Sequence, residues 1–276
     1  MRIPALLVVL ALAGCGTSSA TSSPDGLPLV PAEAGHLHGI AVNPADGKLY
    51  LGTHVGPMVV EDDAVARVGR TTIDLMGFAV AGPDHFYASG HPGPGDDLPN
   101  PVGLIESQDG GKTWSVVSRA GESDFHTVAA ADGVVVGFDG AVRSTKDGRS
   151  WSTGAADVAP ASLAVSPSDA SAVVATTQHG PARSTDGGAT FTHVDGAPVL
   201  VFLAWPAEDA LWAVAPDGSV HLSPDGGLTW SRRGSVGVAP QAFTAVDAST
   251  VVVALEDEIA RSTDGGSSFT RIADRE

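Results

Sequence analysis

Ser107-Gln108-Asp109-Gly110-Gly111-Lys112-Thr113-Trp114 decides the fold, because the same pattern of polar and aromatic positions returns four more times along the chain. The later copies start at Ser144 (STKDGRSW), Ser184 (STDGGATF), Ser223 (SPDGGLTW) and Ser262 (STDGGSSF), at spacings of 37, 40, 39 and 39 residues. In four copies the box reads S-x-D-x-G-x-[TS]-[WF]: Ser107, Asp109, Gly111 and Trp114; Ser184, Asp186, Gly188 and Phe191; Ser223, Asp225, Gly227 and Trp230; Ser262, Asp264, Gly266 and Phe269. An Asp carboxylate that accepts from backbone N–H groups two residues on, followed by glycines that permit positive φ, closes a hairpin. The Ser or Thr before the aromatic adds a hydroxyl bond, and a ring burying roughly 150–250 Å² can wedge between neighbouring sheets. A period near forty, with short Val/Ala-rich runs between Gly-rich turns, predicts a propeller of four-stranded blades. Lys146 stands at the Asp position of the second copy with Asp147 after it, so that hairpin is expected to close differently.

The box resembles the Asp-box, or BNR repeat, of sialidase-type and sortilin-type propellers. Its fivefold return marks the boxes as structural, and the chain divides into six units, an all-β, six-bladed ring. The rest of the chain divides accordingly. Blade one falls near 36–69, with Glu61-Asp62-Asp63 where a box would be. Blade two runs from Thr71 to about Arg119 and carries an insertion, His91 to Pro101, too rich in Pro and Gly for strand. Blades three to six lie near 124–157, 160–196, 198–234 and 241–274. The all-apolar run Val199 to Trp205 suits an inner strand buried on both faces. With blade six able to supply its own outer strand (Phe269 to Ile272), the ring is expected to close by packing on blade one, without strand exchange.

At 276 residues, 43% hydrophobic, the chain has length for one large β domain. Its net charge of −17, with lysine only at positions 48, 112 and 146, argues against nucleic acid as a partner. The first residues read as an export signal: Arg2, an apolar run from Ile3 to Leu12, then Leu12-Ala13-Gly14-Cys15. Those four residues resemble a bacterial lipobox. The expected organisation is a lipoprotein signal peptide at 1–14, a lipidated Cys15 with a flexible tether to residue 35, and a propeller over 36–276. A lipid anchor would hold the protein on the outer face of a cell membrane, in the envelope. Cys15 is the only cysteine, so the propeller has no thiol ligand, nucleophile or disulfide.

Blade strands A to D run antiparallel outward from the axis, which puts A-strand starts and B–C loops on one face and the box hairpins on the other. That rule places His36, His38, His54, His91, His126 and His179 on the front, joined by Asp74, Asp124, Asp139, Met58 and Met76. Tyr50-Leu51-Gly52-Thr53-His54 matches Tyr87-Ala88-Ser89-Gly90-His91 position for position. His36, His38, His54, His91 and His126, with carboxylates and a thioether nearby, form a candidate copper or zinc site. The insertion at 91–101 is the expected gate or partner contact.

Over about residues 36 to 126, the order HLHGIAVNP, LGTHVG, DLMGF, SGHPGPGDDLPNPVGLIESQDGGKTW and SDFH resembles a family of bacterial lipoproteins labelled glycosyl-hydrolase-like through their BNR repeats. That label follows the fold. Sialidases of this fold use an arginine triad, an Arg-Ile-Pro motif, a Tyr nucleophile with a Glu base and an acid Asp. Here the only Arg-Ile-Pro is Arg2-Ile3-Pro4, in the signal; Arg143, Arg183 and Arg261 precede boxes near the back face, and Tyr50 and Tyr87 sit mid-strand. Two function classes stay open: an envelope module that binds a metal, glycan, protein or other ligand through its histidine-rich face, and a glycoside hydrolase using Asp74 and Asp124 as a carboxylate pair.

Overall fold

The computed structural model describes residues 36–275. The signal at 1–14, Cys15 and the tether to residue 35 lie outside the described residues. Consecutive strands build six antiparallel four-stranded sheets. Blade 1 holds β1 (Leu37–Val42), β2 (Leu49–Thr53), β3 (Gly56–Glu61) and β4 (Ala64–Arg67); blade 2 holds β5 (Asp74–Gly82), β6 (His85–His91), β7 (Leu104–Ser107) and β8 (Ser115–Ser118). Blade 3 holds β9 (Thr127–Ala131), β10 (Val134–Phe138), β11 (Val142–Thr145) and β12 (Ser152–Thr153); blade 4 holds β13 (Leu163–Val165), β14 (Val173–Thr177), β15 (Gly180–Ser184) and β16 (Thr192–His193). Blade 5 holds β17 (Phe202–Ala207), β18 (Ala210–Val214), β19 (Ser219–Ser223) and β20 (Ser231–Ser235); blade 6 holds β21 (Ala242–Ala245), β22 (Val251–Ala254), β23 (Glu258–Ser262) and β24 (Thr270–Asp274). The molecule is the six-bladed propeller that the repeat predicts.

Buried side chains gather at the six blade junctions, each blade packing its face on the next. Phe78, Phe86 and Ile105 meet Tyr50 and Val59 between blades 1 and 2. Trp212 and Val214 meet Val251 and Phe243 between blades 5 and 6. The ring closes in the same way, with Leu37, Leu51 and Met58 against Val252 and Ile259. Among the described residues no strand crosses from one sheet to another, so side-chain packing makes the seam. Second strands such as β18 and β22 are buried at every position, which is why they read as short continuous apolar runs. The run at 199–205 is only partly such a strand: Val199 is 46% exposed and precedes β17.

The box hairpins share one set of bonds. Ser107 Oγ donates to Asp109 Oδ1 (2.8 Å) and accepts from Gly111 N (2.8 Å), while Asp109 takes the Thr113 amide (2.9 Å) and hydroxyl (2.6 Å). The carboxylate thus reaches the amide four residues on, not two, because Gly110 and Gly111 both adopt positive φ and tighten the loop beneath it. Trp114 and Trp230 each donate Nε1–H to the second box glycine, and Trp230 packs between blades 4 and 5. Bonds of this kind favour the ionised acid: the Thr190 hydroxyl and amide, with Ser184, hold Asp186 down at about 2.

The second copy closes one residue later and one residue tighter. Thr145, not Ser144, is buried in the serine's place and donates to Asp147 (3.0 Å), which takes the amides of Arg149 and Ser150. Blade 1 replaces the box with Asp62-Asp63, both at positive φ (47° and 64°), a two-residue turn whose twist suits a tight hairpin.

Candidate metal centre

The first strands of all six blades enclose an axial channel of about 230 Å³, with His38 and His126 at one mouth. Two of these strands are irregular where they reach that mouth. In blade 1, Leu37 faces Thr53 and Gly39 faces Gly52, leaving His38 unmatched; in blade 2, Leu75 faces Gly90 and Gly77 faces Ser89, leaving Met76 unmatched. A bulge of this kind re-aims the extra side chain. The glycine that follows lets the bulged strand press on the next blade: a Cβ on Gly39 would lie 2.9 Å from Phe78 Cβ, and one on Gly77 would lie 2.3 Å from the Phe125 carbonyl oxygen.

His54 sits in the turn between β2 and β3, which Thr53 closes by accepting from Val55 N (3.2 Å) and donating to the Gly56 carbonyl (2.7 Å). Its Nδ1 lies 2.9 Å from Asp74 Oδ1, across the junction with blade 2. The carboxylate assigns the proton to Nδ1 and leaves Nε2 as the free lone pair. That Nε2 faces His38 Nε2 at 3.1 Å, the two rings nearly perpendicular. Two imidazole nitrogens on one tetrahedral ion, with bonds of about 2.0–2.1 Å, stand about 3.3 Å apart, so the pair is already near a ligand edge. His38, His54 and Asp74 offer donor atoms within 4.8 Å of one another. Burial lowers the His38 pKa, and His54, His126 and His36 push it the same way against the pull of Asp74. The ring therefore keeps its neutral form, the one a metal needs, to lower pH than a free imidazole does. Imidazole donors of this number suit Zn, Cu or Ni over Mg or Ca.

The five histidines predicted as one site are divided. His36 stays with the pair, its ring 6.4 Å from that of His54. His91 and His126 instead converge on Asp124: His126 Nε2 is 2.8 Å and His91 Nε2 is 3.4 Å from Asp124 Oδ2. Of the other front-face residues, Met58 is corrected, while His179 and Asp139 keep their turns but are engaged away from the pair. Met58 is fully buried in the seam between blades 6 and 1, since alternation along β3 turns it inward. His179 packs near His193 (6.3 Å between rings): Thr177 closes the same turn as Thr53, so Gln178 is the match of His54 and His179 of Val55. Asp139 is held by both Nε bonds of Arg143 (2.7 Å) and by Ser123, with Arg119 at 3.5 Å, which draws Arg143 away from the box end of its strand. Residues that sequence reasoning missed are those that hold the site: Thr53, Gly39, and Asn100, whose Oδ1 lies 2.8 Å from His91 Nδ1. The insertion is tied to its blade by this contact and by Leu98, which packs on the blade 1–2 core. The glycine after each bulge was the one available signal.

No family model matches the chain, and no curated protein matches it in sequence. Solved structures do match. The Niastella koreensis GH74 enzyme superposes with a TM-score of 0.62 at 15% identity over 88% of this chain and 46% of its own. The chain thus spans less than half of that enzyme. A putative gluconolactonase matches with a TM-score of 0.64 at 16% identity over 90% and 93% of the two chains. YCF48 from Cyanidioschyzon merolae matches with a TM-score of 0.52 at 17% identity over 86% and 85%. The likeness is one of fold. Proteins with such different names share the fold, so chemistry has to be argued from this chain's own rim.

Proposed function

We propose that the protein is an envelope lipoprotein whose propeller binds a late first-row transition metal, copper or zinc, at the front mouth of the axial channel. His38 and His54 are the ligands, and Asp74 orients His54 from behind. The observation that carries this reading is the pair of Nε2 atoms facing each other at 3.1 Å, one of them set by the Asp74 carboxylate. On two protein nitrogens the ion keeps positions open at a channel mouth, which suits exchange or capture of a small ligand, a glycan or a protein group, where a structural site would be closed. The test is metal titration of the purified propeller. Wild-type protein takes up one equivalent of Zn(II) or Cu(II), and His38→Ala or His54→Ala loses it; unchanged uptake in both variants overturns the assignment.

Hydrolysis of glycosides is the second reading, favoured by the fold shared with a GH74 enzyme. Against it, each carboxylate of the proposed pair is already engaged by imidazole, Asp74 by His54 and Asp124 by His126. Turnover of a fluorogenic glycoside that vanishes in Asp124→Ala and survives His38→Ala would replace the binding reading. We read the box hairpins as Asp-boxes of the sialidase-like superfamily. The lipobox at Leu12 to Cys15 supports export and anchoring; Cys15→Ser should move the protein from the membrane fraction to the soluble one, and retention after a high-salt wash would refute a lipid anchor.

A further inference from the structure

The blade repeat sets a second group of residues, one blade further on, in register with the proposed metal pair. His54 in the β2–β3 turn corresponds to His91 at the end of β6, and Asp74, its partner on the next blade, corresponds to Asp124. His38, the bulged residue between Leu37 and Gly39, corresponds to Met76, the bulged residue between Leu75 and Gly77. The correspondence is one of position and of contact: in both junctions the turn histidine reaches across to a carboxylate at the start of the next first strand, at 2.9 Å in one and 3.4 Å in the other. One donor differs, a thioether for an imidazole.

Two features at the second junction suit a cation. His91 Nδ1 is engaged by Asn100 Oδ1, an acceptor, so the proton sits on Nδ1 and Nε2 presents a lone pair. That lone pair faces Asp124 Oδ2 at 3.4 Å, so two acceptors oppose each other at about the spacing of two ligands on one ion. The second oxygen of the same carboxylate, Asp124 Oδ1, is buried with no hydrogen-bond partner. An unpaired buried carboxylate oxygen is costly, and a positive ion beside it removes the cost.

We propose that Met76, His91 and Asp124 form a second metal site, separate from the His38–His54 pair and specific for Cu(I), with His126 as the neighbouring imidazole able to leave Asp124 for the ion. The thioether decides the metal: Met sulfur is a soft donor that favours Cu(I) and adds little for Zn(II). The protein then carries two sites of graded softness on adjacent blades, a nitrogen site taking Zn(II) or copper in either oxidation state and a sulfur-containing site taking Cu(I) alone.

The test is anaerobic Cu(I) titration against a chromophoric Cu(I) chelator, together with X-ray absorption at the copper edge. Met76→Leu is a volume-conserving change between apolar side chains, so the variant folds. Expected are two Cu(I) equivalents for wild type, one for Met76→Leu, one for His38→Ala and none for the double variant, with a sulfur shell that disappears in Met76→Leu while Zn(II) uptake stays at one equivalent. A copper shell without sulfur, or Cu(I) uptake unchanged by Met76→Leu and by His91→Ala, overturns the second site. The two readings fail separately. Loss of all uptake in His38→Ala alone removes the second site and keeps the first; full Zn(II) uptake in His38→Ala removes the first and leaves the sulfur shell to decide the second.

Discussion

Around one rim of the ring, blades 1–3 and blades 4–6 are built alike and equipped differently. The first strands of blades 1–3 start from His36-Leu37-His38, Asp74-Leu75-Met76 and Asp124-Phe125-His126, in which the middle residue is buried and the outer two face the rim. Those of blades 4–6 start from Ala161-Ser162, Leu200-Val201 and Gln241, without a metal-binding side chain among them. Both halves bury the same kind of junction, so packing accounts for the middle residues and says nothing of the outer ones. What distinguishes the halves is confined to positions where the fold leaves the side chain free.

If the halves divide the work in this way, damage to the second should cost stability alone. Trp212 is fully buried between blades 5 and 6, with Nε1 on the Asp247 carbonyl. Trp212→Ala should lower unfolding free energy by about 3–5 kcal/mol in a denaturant titration while metal affinity at low denaturant stays unchanged. A variant as weak in binding as in folding would mean that the rim depends on the far side of the ring. The reverse change belongs to Asp74, which touches the site through His54. Asp74→Asn should weaken Zn(II) roughly 10–100-fold with little change in melting temperature, because the amide no longer fixes the imidazole proton. A loss of affinity that Asp74→Glu fails to restore even in part would make Asp74 a packing residue.

The smallest effect concerns acid. Because the folded pKa of His38 lies below its ordinary 6.5, the unfolded chain binds the proton first, and this contribution is complete above pH 6.5 and lost as pH falls through and below that value. Melting temperature should therefore decline as pH drops from about 7 toward 5, and His38→Ala should flatten that part of the curve. The box acids act lower, since a depressed Asp such as Asp186, near 2, gives stability that is present above the ordinary carboxylate range and lost as pH falls toward that value. An identical slope in wild type and His38→Ala would show that other groups set the response between pH 7 and 5.

Blade number, box hairpins and the closing seam were legible because they repeat: five boxes at nearly equal spacing leave little freedom for the chain between them. The rim was legible only as a set of candidates. Ring topology brought six histidines to one face, but their sorting depends on single-residue offsets. A bulge turns His38 toward His54, and in a turn of identical length His179 falls one place later than His54, where Val55 stands. Alternation along β3 removes Met58 to the seam. In the second box the seven-residue spacing from serine to aromatic was kept by compensation, a start one residue late and a turn one residue short, so spacing alone aligned Ser144 where Thr145 does the work.

The seam where blade 6 meets blade 1 is a joint of the same kind as the other five, apolar side chains meshed across two sheet faces with no strand exchanged. A ring joined that way has no built-in origin. Its first blade is first only in the order of translation, and the same six-part wheel could be written into a gene starting from any of its junctions, provided the old ends were bridged. The histidines of blades 1–3 then mark a sector of the wheel, not the head of a chain, and they would keep their neighbours wherever the reading began.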